Sequence, residues 1–424
     1  MMSEIAPGRA ASAARAQTEP PLIMVAANQA WNLVHFRGAL IEALVAAGYR
    51  VMAVAPADPE MEQRLAALGC SFAAVPIDPA GLSPRRDLAS LLAFYRLIRQ
   101  HRPVAWLSWT IKPNVYGSWA AARCGVAALP NVSGLGTAFI RRNLLTRLVK
   151  LLYRTGLARA ATVFFQNEDD RALFLAMRLV RPGQARLLPG SGIDAAHFAP
   201  QDDHRPPAGR FLLVARLLAD KGVREYVAAA RLLGPRWPQA RFHLMGQVDV
   251  ANRTAIGAGE LASWVAAGVI DYSPPCNDIR PAMREADFIV LPSYREGLSR
   301  VLLEAAAMRR PIVTTDVPGC RDIVDDGING YLCEARDGPA LAQALERALK
   351  TDDATWQGMA QAGRARVLAQ FSQDRVIALY RSALVEAGVA SPSVPELSPL
   401  QLPDLILEDP PRAADHVRGW PTTI

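Results

Sequence analysis

The chain has 424 residues, 51% of them hydrophobic and 21% charged, which gives room for two ordinary globular domains and excludes a disordered or collagen-like polymer. Its five cysteines, Cys70, Cys124, Cys276, Cys320 and Cys333, are scattered without a CxxC, which argues against a disulfide framework or a zinc site and for a reducing cytoplasm. The net charge of +7 is uneven: +9 up to Pro206 and −2 beyond, with eleven basic and no acidic residues between Leu88 and Asn167.

Residues 1–20 are rich in Ala, Arg and Ser and precede only a short apolar run, so a disordered N-terminus is expected here and not a signal peptide. No apolar stretch approaches the roughly 18 residues of a membrane span. Apolar, β-prone runs then follow at 22–27, 51–55, 72–77, 104–109, 161–165 and 185–189, with helical stretches such as 36–47 and 87–99 between them. A second series starts at 211–215 and continues at 241–245, 269–272, 288–291 and 311–315, with helices at 221–233 and 341–349. Two further helices are expected at 353–369 and 373–387. Alternation of this kind predicts parallel sheets covered by helices on both faces. The polar, proline-rich segment 199–207 marks the linker, giving a first domain at 21–205, a second at 206–388 and a Pro-rich, disordered tail at 389–424.

Within 139–164, Arg141, Arg142, Arg147, Lys150, Arg154 and Arg159 interleave with Leu, Val and Tyr as in a basic amphipathic helix. Such a helix suits an anionic membrane surface, and it would serve equally as the solvated face of a core-packed helix. No recognition motif for nucleic acid accompanies the charge, and none is expected as a partner. Gly190-Ser191-Gly192-Ile193-Asp194-Ala195 fits a dinucleotide fingerprint, but Pro200 leaves no room for the long helix that must follow. These glycines read instead as turns approaching a ligand cleft.

The densest chemistry lies after the expected strand 288–291. Glu296 and Glu304 stand eight positions apart, flanking Gly297, Leu298 and Ser299, with a helix expected at about 298–309. Along a helix that separation is roughly 12 Å. Paired glycosidase carboxylates stand about 5 Å or roughly 6.5–9.5 Å apart, so two separate hydroxyl contacts on one long ligand fit better. A helix start between the carboxylates offers free amides and partial positive charge to a phosphate. Glu296 as a cap and Glu304 as a satisfied core group would explain the spacing as well. In the loop after 211–215, Arg216 and Lys221 could straddle a diphosphate, one as a fork and the other as a point charge.

Together these stretches resemble the family-four retaining glycosyltransferases. The likeness is carried by 215–222 (ARLLADKG), 292–308 (PSYREGLSRVLLEAAAM) and 318–332, and covers roughly 22–387. It implies the B fold, two Rossmann-like parallel-sheet domains facing a central cleft. Glu296 would then contact the donor sugar, Glu304 the ribose, and Arg216 with Lys221 the diphosphate, joined by amides near Gly297, Leu298 and Ser299. The runs 28–37, 109–118 and 131–137 are similar to the capsule and lipid-linked-oligosaccharide branch, which points to Asn28, Trp31, His35, Lys112 and Gly134 on the acceptor side. Trp109 stands approximately where many family members carry a histidine, leaving His35 as the nearest polar candidate. Ser299 replaces a commoner proline.

The resemblance implies retaining transfer of a hexose or N-acetylhexosamine from a nucleotide-diphosphate sugar, expected to be UDP-linked. The acceptor would be an undecaprenyl-diphosphate-linked saccharide. No metal or other cofactor is expected, and the enzyme would sit peripherally at the cytoplasmic face of the membrane, with Arg141, Arg142, Arg147 and Lys150 toward anionic lipid. A UDP-sugar 2-epimerase on the same double fold and a non-catalytic polysaccharide-assembly subunit are the competing readings.

Overall fold

The computed structural model describes residues 19–78, 83–135, 144–201, 204–249 and 252–392. The expected N-terminal and Pro-rich tails lie almost wholly outside them, as do Arg141 and Arg142. The first sheet is built from β1 (Leu22–Ala26), β2 (Arg50–Ala55), β3 (Cys70–Ala74), β4 (Ala105–Trp109), β5 (Ala127–Val132), β6 (Val163–Phe165) and β7 (Ala185–Leu187). All its pairings are parallel, in the order β3-β2-β1-β4-β5-β6-β7. Its crossovers carry α1 (Ala30–Ala46), α2 (Pro59–Ala67), α3 (Pro84–His101), α4 (Ser118–Arg123), α5 (Leu144–Gly156) and α6 (Glu168–Ala176).

The second sheet, also parallel, runs β10-β9-β8-β11-β12-β13, from β8 (Arg210–Val214), β9 (Arg241–Met245), β10 (Asp271–Ser273), β11 (Phe288–Leu291), β12 (Ile312–Thr315) and β13 (Gly330–Cys333). Its helices are α7 (Val223–Leu233), α8 (Ala258–Ala266), α9 (Arg280–Glu285), α10 (Arg300–Ala307), α11 (Gly338–Leu349) and α12 (Asp353–Gln370), and α13 (Gln373–Glu386) closes the described chain. In each sheet the strand order reverses once, between β1 and β4 and between β8 and β11. At such switch points neighbouring crossovers leave in opposite directions and open a crevice beyond the carboxyl ends of the strands.

Two strands escaped the sequence reading. Pro130 lies in the middle of β5, where a missing N–H argues against a central strand, yet β5 is inserted between β4 and β6 with Pro130 opposite Ser108. β13 is a four-residue edge strand that opens on glycine, too short and too weakly β-prone to announce itself. The helix expected from residue 36 starts at Ala30, after an extended Gln29. The proposed linker is pinned at Arg205, whose guanidinium meets Asp287 at 2.8 Å and donates to the Thr351 carbonyl at 2.8 Å.

α13 returns to the first sheet. Val376, Tyr380, Ala383 and Leu384 pack into the same core as Ile23, Leu107, Leu129 and Phe164, and Asn131 donates to the Tyr380 hydroxyl at 3.2 Å. Tyr380 is fully buried between the Trp109 and Phe164 rings. Tyr380→Ala is therefore expected to cost about 3–5 kcal/mol, the range for deleting a buried aromatic ring, read by urea denaturation.

Candidate active site

Both switch points open onto one cavity of about 400 Å³. Its walls are the loops after β1 and β4 on one side and after β8 and β11 on the other, which is where a doubly wound fold holds ligands. The loop after β8 supplies Arg216, exposed and without an ion pair or hydrogen bond from its side chain among the described residues. The chain then makes a short helical turn, Ala219–Lys221, that stops at Gly222 with φ 73°. A Cβ at Gly222 would fall 2.1 Å from the Pro292 carbonyl oxygen, so only glycine brings this loop against the end of β11 and carries Lys221 into the cavity.

Glu296 lies in the loop after β11. Its carboxylate is ion-paired with the Lys221 ammonium and accepts from the Ser293 hydroxyl at 2.7 Å. The loop is held by Glu296 N–H to the Pro318 carbonyl at 3.0 Å and Ser299 N–H to the Gly319 carbonyl at 3.0 Å. Two sequence expectations are corrected here. The helix begins at Arg300 and not at 298, so residues 296–299 form a loop and helical rise does not span the two glutamates. The Ser299 amide is already committed to Gly319, which leaves the Gly297 and Leu298 amides, without backbone partners among the described residues, to meet an anion.

Glu304 sits on the buried side of α10 and accepts from Arg300 Nε at 2.8 Å. Burial pushes its carboxyl above the ordinary value, against the pull of Arg300. Arg300 also reaches across the cleft, donating to the His35 carbonyl at 2.9 Å and lying 5.2 Å over the Phe36 ring. The two domains meet closely at Gly297. Its carbonyl accepts from Asn167 Nδ2 at 2.6 Å, and a Cβ on it would fall 2.1 Å from the Ser133 carbonyl oxygen. Gly134 faces the Gly297 backbone from the other side. Arg295 pairs with fully buried Asp170, and Arg321 with Asp169 at 2.7 Å, so α6 is tied to the second domain by charge as well.

Of the expected site residues, the structure brings Arg216, Lys221, Glu296, Leu298 and Ser299 onto the cavity wall. Gly297 and Gly134 form the seam behind it. The acceptor-side candidates Asn28, Trp31, His35 and Lys112 do not line it. Asn28 donates its amide to Thr110 Oγ1 at 3.1 Å and accepts from Asn32 Nδ2 at 3.1 Å, which orders the loop. Lys112, just before a π-helical turn over Pro113–Gly117, pairs with Asp87 at 2.6 Å. His35 stacks on Trp31 at 4.1 Å. Its Nδ1 faces the Trp31 carbonyl, which only accepts, and its Nε2 faces Arg64, which only donates, so the proton sits on Nδ1. Burial lowers its pKa further, and both ring nitrogens are occupied.

The first-domain wall is made instead by Asn32, Arg37, Trp109, Thr110, Ser133 and Gln166. Thr110 holds φ 71°, a strained value for a β-branched residue and a recurrent mark of functional loops. Sequence reading singled out Trp109 among them and passed over the other side chains because the topology, not their spacing, assembles them. Arg37 alone left a local signal: a cation on the buried stripe of Leu33, Leu40, Ile41 and Leu44.

Two family models match the chain. Residues 34–191 match the Glycosyl transferase 4-like domain and residues 208–351 match Glycosyl transferases group 1. The chain is 25% identical over 341 residues to the N,N'-diacetylbacillosaminyl-diphospho-undecaprenol alpha-1,3-N-acetylgalactosaminyltransferase of Campylobacter jejuni, covering 76% of this chain and 87% of that protein. It is 22% identical to the capsular polysaccharide biosynthesis glycosyltransferase CapM of Staphylococcus aureus, covering 71% of this chain and 82% of that one. Anabaena HepE in complex with UDP-glucose superposes with a TM-score of 0.70 at 17% identity, over 86% of this chain and 99% of HepE. The two matches fall one on each sheet domain, and the chain belongs to the family-four glycosyltransferases of the B fold. It is a glycosyltransferase.

Proposed function

We propose that the enzyme moves a hexose or N-acetylhexosamine from a UDP-linked sugar to an undecaprenyl-diphosphate-linked saccharide, with retention at the anomeric carbon. The observation that carries this reading is the meeting of Arg216, Lys221 and Glu296 on one wall of a cleft at two switch points. In the free enzyme Lys221 and Glu296 neutralise each other. A diphosphate entering between Arg216, Lys221 and the Gly297 and Leu298 amides would draw the ammonium to itself and release Glu296 to the sugar hydroxyls, while Glu304, held by Arg300, would take the ribose.

The acceptor hydroxyl attacks the anomeric carbon from the face the phosphate leaves. A bond forms from that oxygen to the carbon, the carbon–phosphate oxygen bond breaks, and the hydroxyl proton passes to the departing β-phosphate. Negative charge grows on that phosphate, and cations already in place stabilise it without reorganisation. The close seam at Gly297 keeps out water, which would otherwise compete as acceptor. No step requires a metal. The test is a panel of UDP-sugars with and without one lipid-diphosphate acceptor, followed by mass spectrometry. Sugar addition to the lipid supports the reading; an epimer formed without acceptor would replace it.

No helix among the described residues is long and apolar enough to cross a membrane. α5 packs Tyr153 against the first-domain core and exposes Leu148 at 52% and Leu151 at 57% beside the exposed Arg147 and Arg154. Exposed leucines between cations suit a shallow, cytoplasmic-face contact with anionic lipid. Charge reversal at Arg147 and Lys150 is expected to weaken binding to phosphatidylglycerol vesicles by about thirtyfold or more, at roughly 1 kcal/mol for each cation lost. Co-sedimentation measures it, and unchanged binding would make α5 a purely structural helix.

A further inference from the structure

One charge in the cleft has no place in the donor reading. Arg37 points from α1 into the cavity, 6% exposed, with its guanidinium 4.8 Å from the Trp109 ring centroid. Its Nη1 has no hydrogen-bond partner, and it forms no ion pair with a carboxylate among the described residues. The groups that act on it are the Tyr380 hydroxyl of α13 and a second cation, Arg300, already committed to Glu304. A buried, uncompensated charge is costly, and an aromatic face returns only a small part of that cost. Leucine or methionine would satisfy this position on the apolar stripe of α1 without that penalty. Burial lowers the Arg37 pKa to about 10, which still leaves it charged near neutral pH.

A cation held this way is completed by an anion that comes and goes. The donor diphosphate has its own cations, Arg216 and Lys221, on the opposite wall. The remaining polar side chains on the first-domain wall, Asn32, Thr110, Ser133, Gln166 and Ser191, are neutral and suited to sugar hydroxyls. We infer that Arg37 is the specificity-determining residue of the acceptor subsite, and that it binds an oxyanion carried by the acceptor close to the attacked hydroxyl. The inference rests on the glycosyltransfer reading and deepens it by giving the acceptor a required charge. Two acceptor chemistries supply such an oxyanion: the diphosphate that joins a sugar to its lipid, and the carboxylate of a uronic acid.

The test uses the full chain and three short acceptors: a prenyl diphosphate-linked N-acetylhexosamine, the same sugar as a neutral alkyl glycoside, and an alkyl glucuronide. Calorimetry without donor measures binding, so the result does not depend on turnover. The unsubstituted chain should bind at least one anionic acceptor about tenfold or more tighter than the neutral one, the scale of a charge-assisted hydrogen bond. Whichever is preferred identifies the source of the anion. Arg37→Met should abolish that preference and Arg37→Lys retain part of it. Where transfer is observed, the methionine variant should raise the acceptor KM and leave the donor KM within about twofold. Its melting temperature should not fall, because an uncompensated buried charge has been removed. Equal binding of charged and neutral acceptors by the unsubstituted chain would overturn the inference. So would a methionine variant that keeps the preference, or one that raises the donor KM instead. If no product forms but the Arg37-dependent preference is present, the glycosyltransfer reading fails and the anion subsite stands.

Discussion

Replacing Glu296 by glutamine is expected to lower kcat for sugar transfer by about a hundredfold or more, comparable to removing one preorganised electrostatic contact in a transition state. The fold should survive. Glutamine keeps the volume, and its amide oxygen can still accept from Ser293 and Lys221, which are the side-chain contacts the carboxylate makes. What disappears is the negative charge that can hold donor hydroxyls as the sugar gains positive character. The donor KM should change little, because the proposed diphosphate contacts of Arg216 and Lys221 remain in place. Lys221→Met should do the reverse, raising the donor KM by about tenfold or more, since a charge-assisted contact to phosphate is removed. Initial-rate kinetics with varied donor separates the two. Wild-type kcat in the glutamine variant would remove Glu296 from the reaction.

Gly297→Ala should cost about as much, by geometry and not by charge. The added methyl would lie 2.1 Å from the Ser133 carbonyl oxygen and 2.9 Å from Gln166 Oε1. Neither distance is tolerable, and the opposing atom at Ser133 is backbone, so the wall of the first domain must retreat by roughly 1 Å. A displacement of that size between reacting groups can cost about a hundredfold in rate. The Asn167 to Gly297 hydrogen bond at 2.6 Å would be disturbed with it. Stability should fall far less than activity, because Gly297 belongs to none of the hydrophobic cores. Gly358→Ala serves as the control: it stands exposed within α12 with nothing near its Cβ, and should raise stability by about 1 kcal/mol while leaving transfer unchanged. Parallel rate and melting measurements decide it, and an active Gly297→Ala enzyme would show that the tight seam is not needed.

The parts of this molecule that were legible in its sequence are those whose physics is local. Central strands such as β1 and β11 are buried on both faces and read as unbroken apolar runs. Arg216, Lys221 and Glu296 were found because each lies in the loop directly after a strand at a switch point. β5 and β13 were missed because a proline and a glycine speak against strands locally, while pairing with neighbours overrides them. The first-domain wall of the cavity was missed for a related reason. Lys112 follows β4 and His35 lies on α1, but Asp87 holds one and the Trp31 carbonyl with Arg64 the other. The side chains that do face the cavity come from α1 and from the loops after β4, β5 and β6, and only the closed sheet brings them together. Arg37 could have been found, since its place in the helical period of α1 predicts burial for a residue that resists it.

Glu296 and Glu304, eight residues apart, are not a matched pair of acids. One is held by Lys221 at the cavity wall and the other by Arg300 beneath it, with the start of α10 between them. The most direct test of this arrangement is the anomeric configuration of the lipid-linked product formed from an α-configured UDP-sugar, read by proton NMR coupling constants. The proposed same-face transfer predicts an α-linked product on the lipid-diphosphate acceptor. A β-linked product, or UDP-sugar consumption with no lipid-linked product, would contradict it.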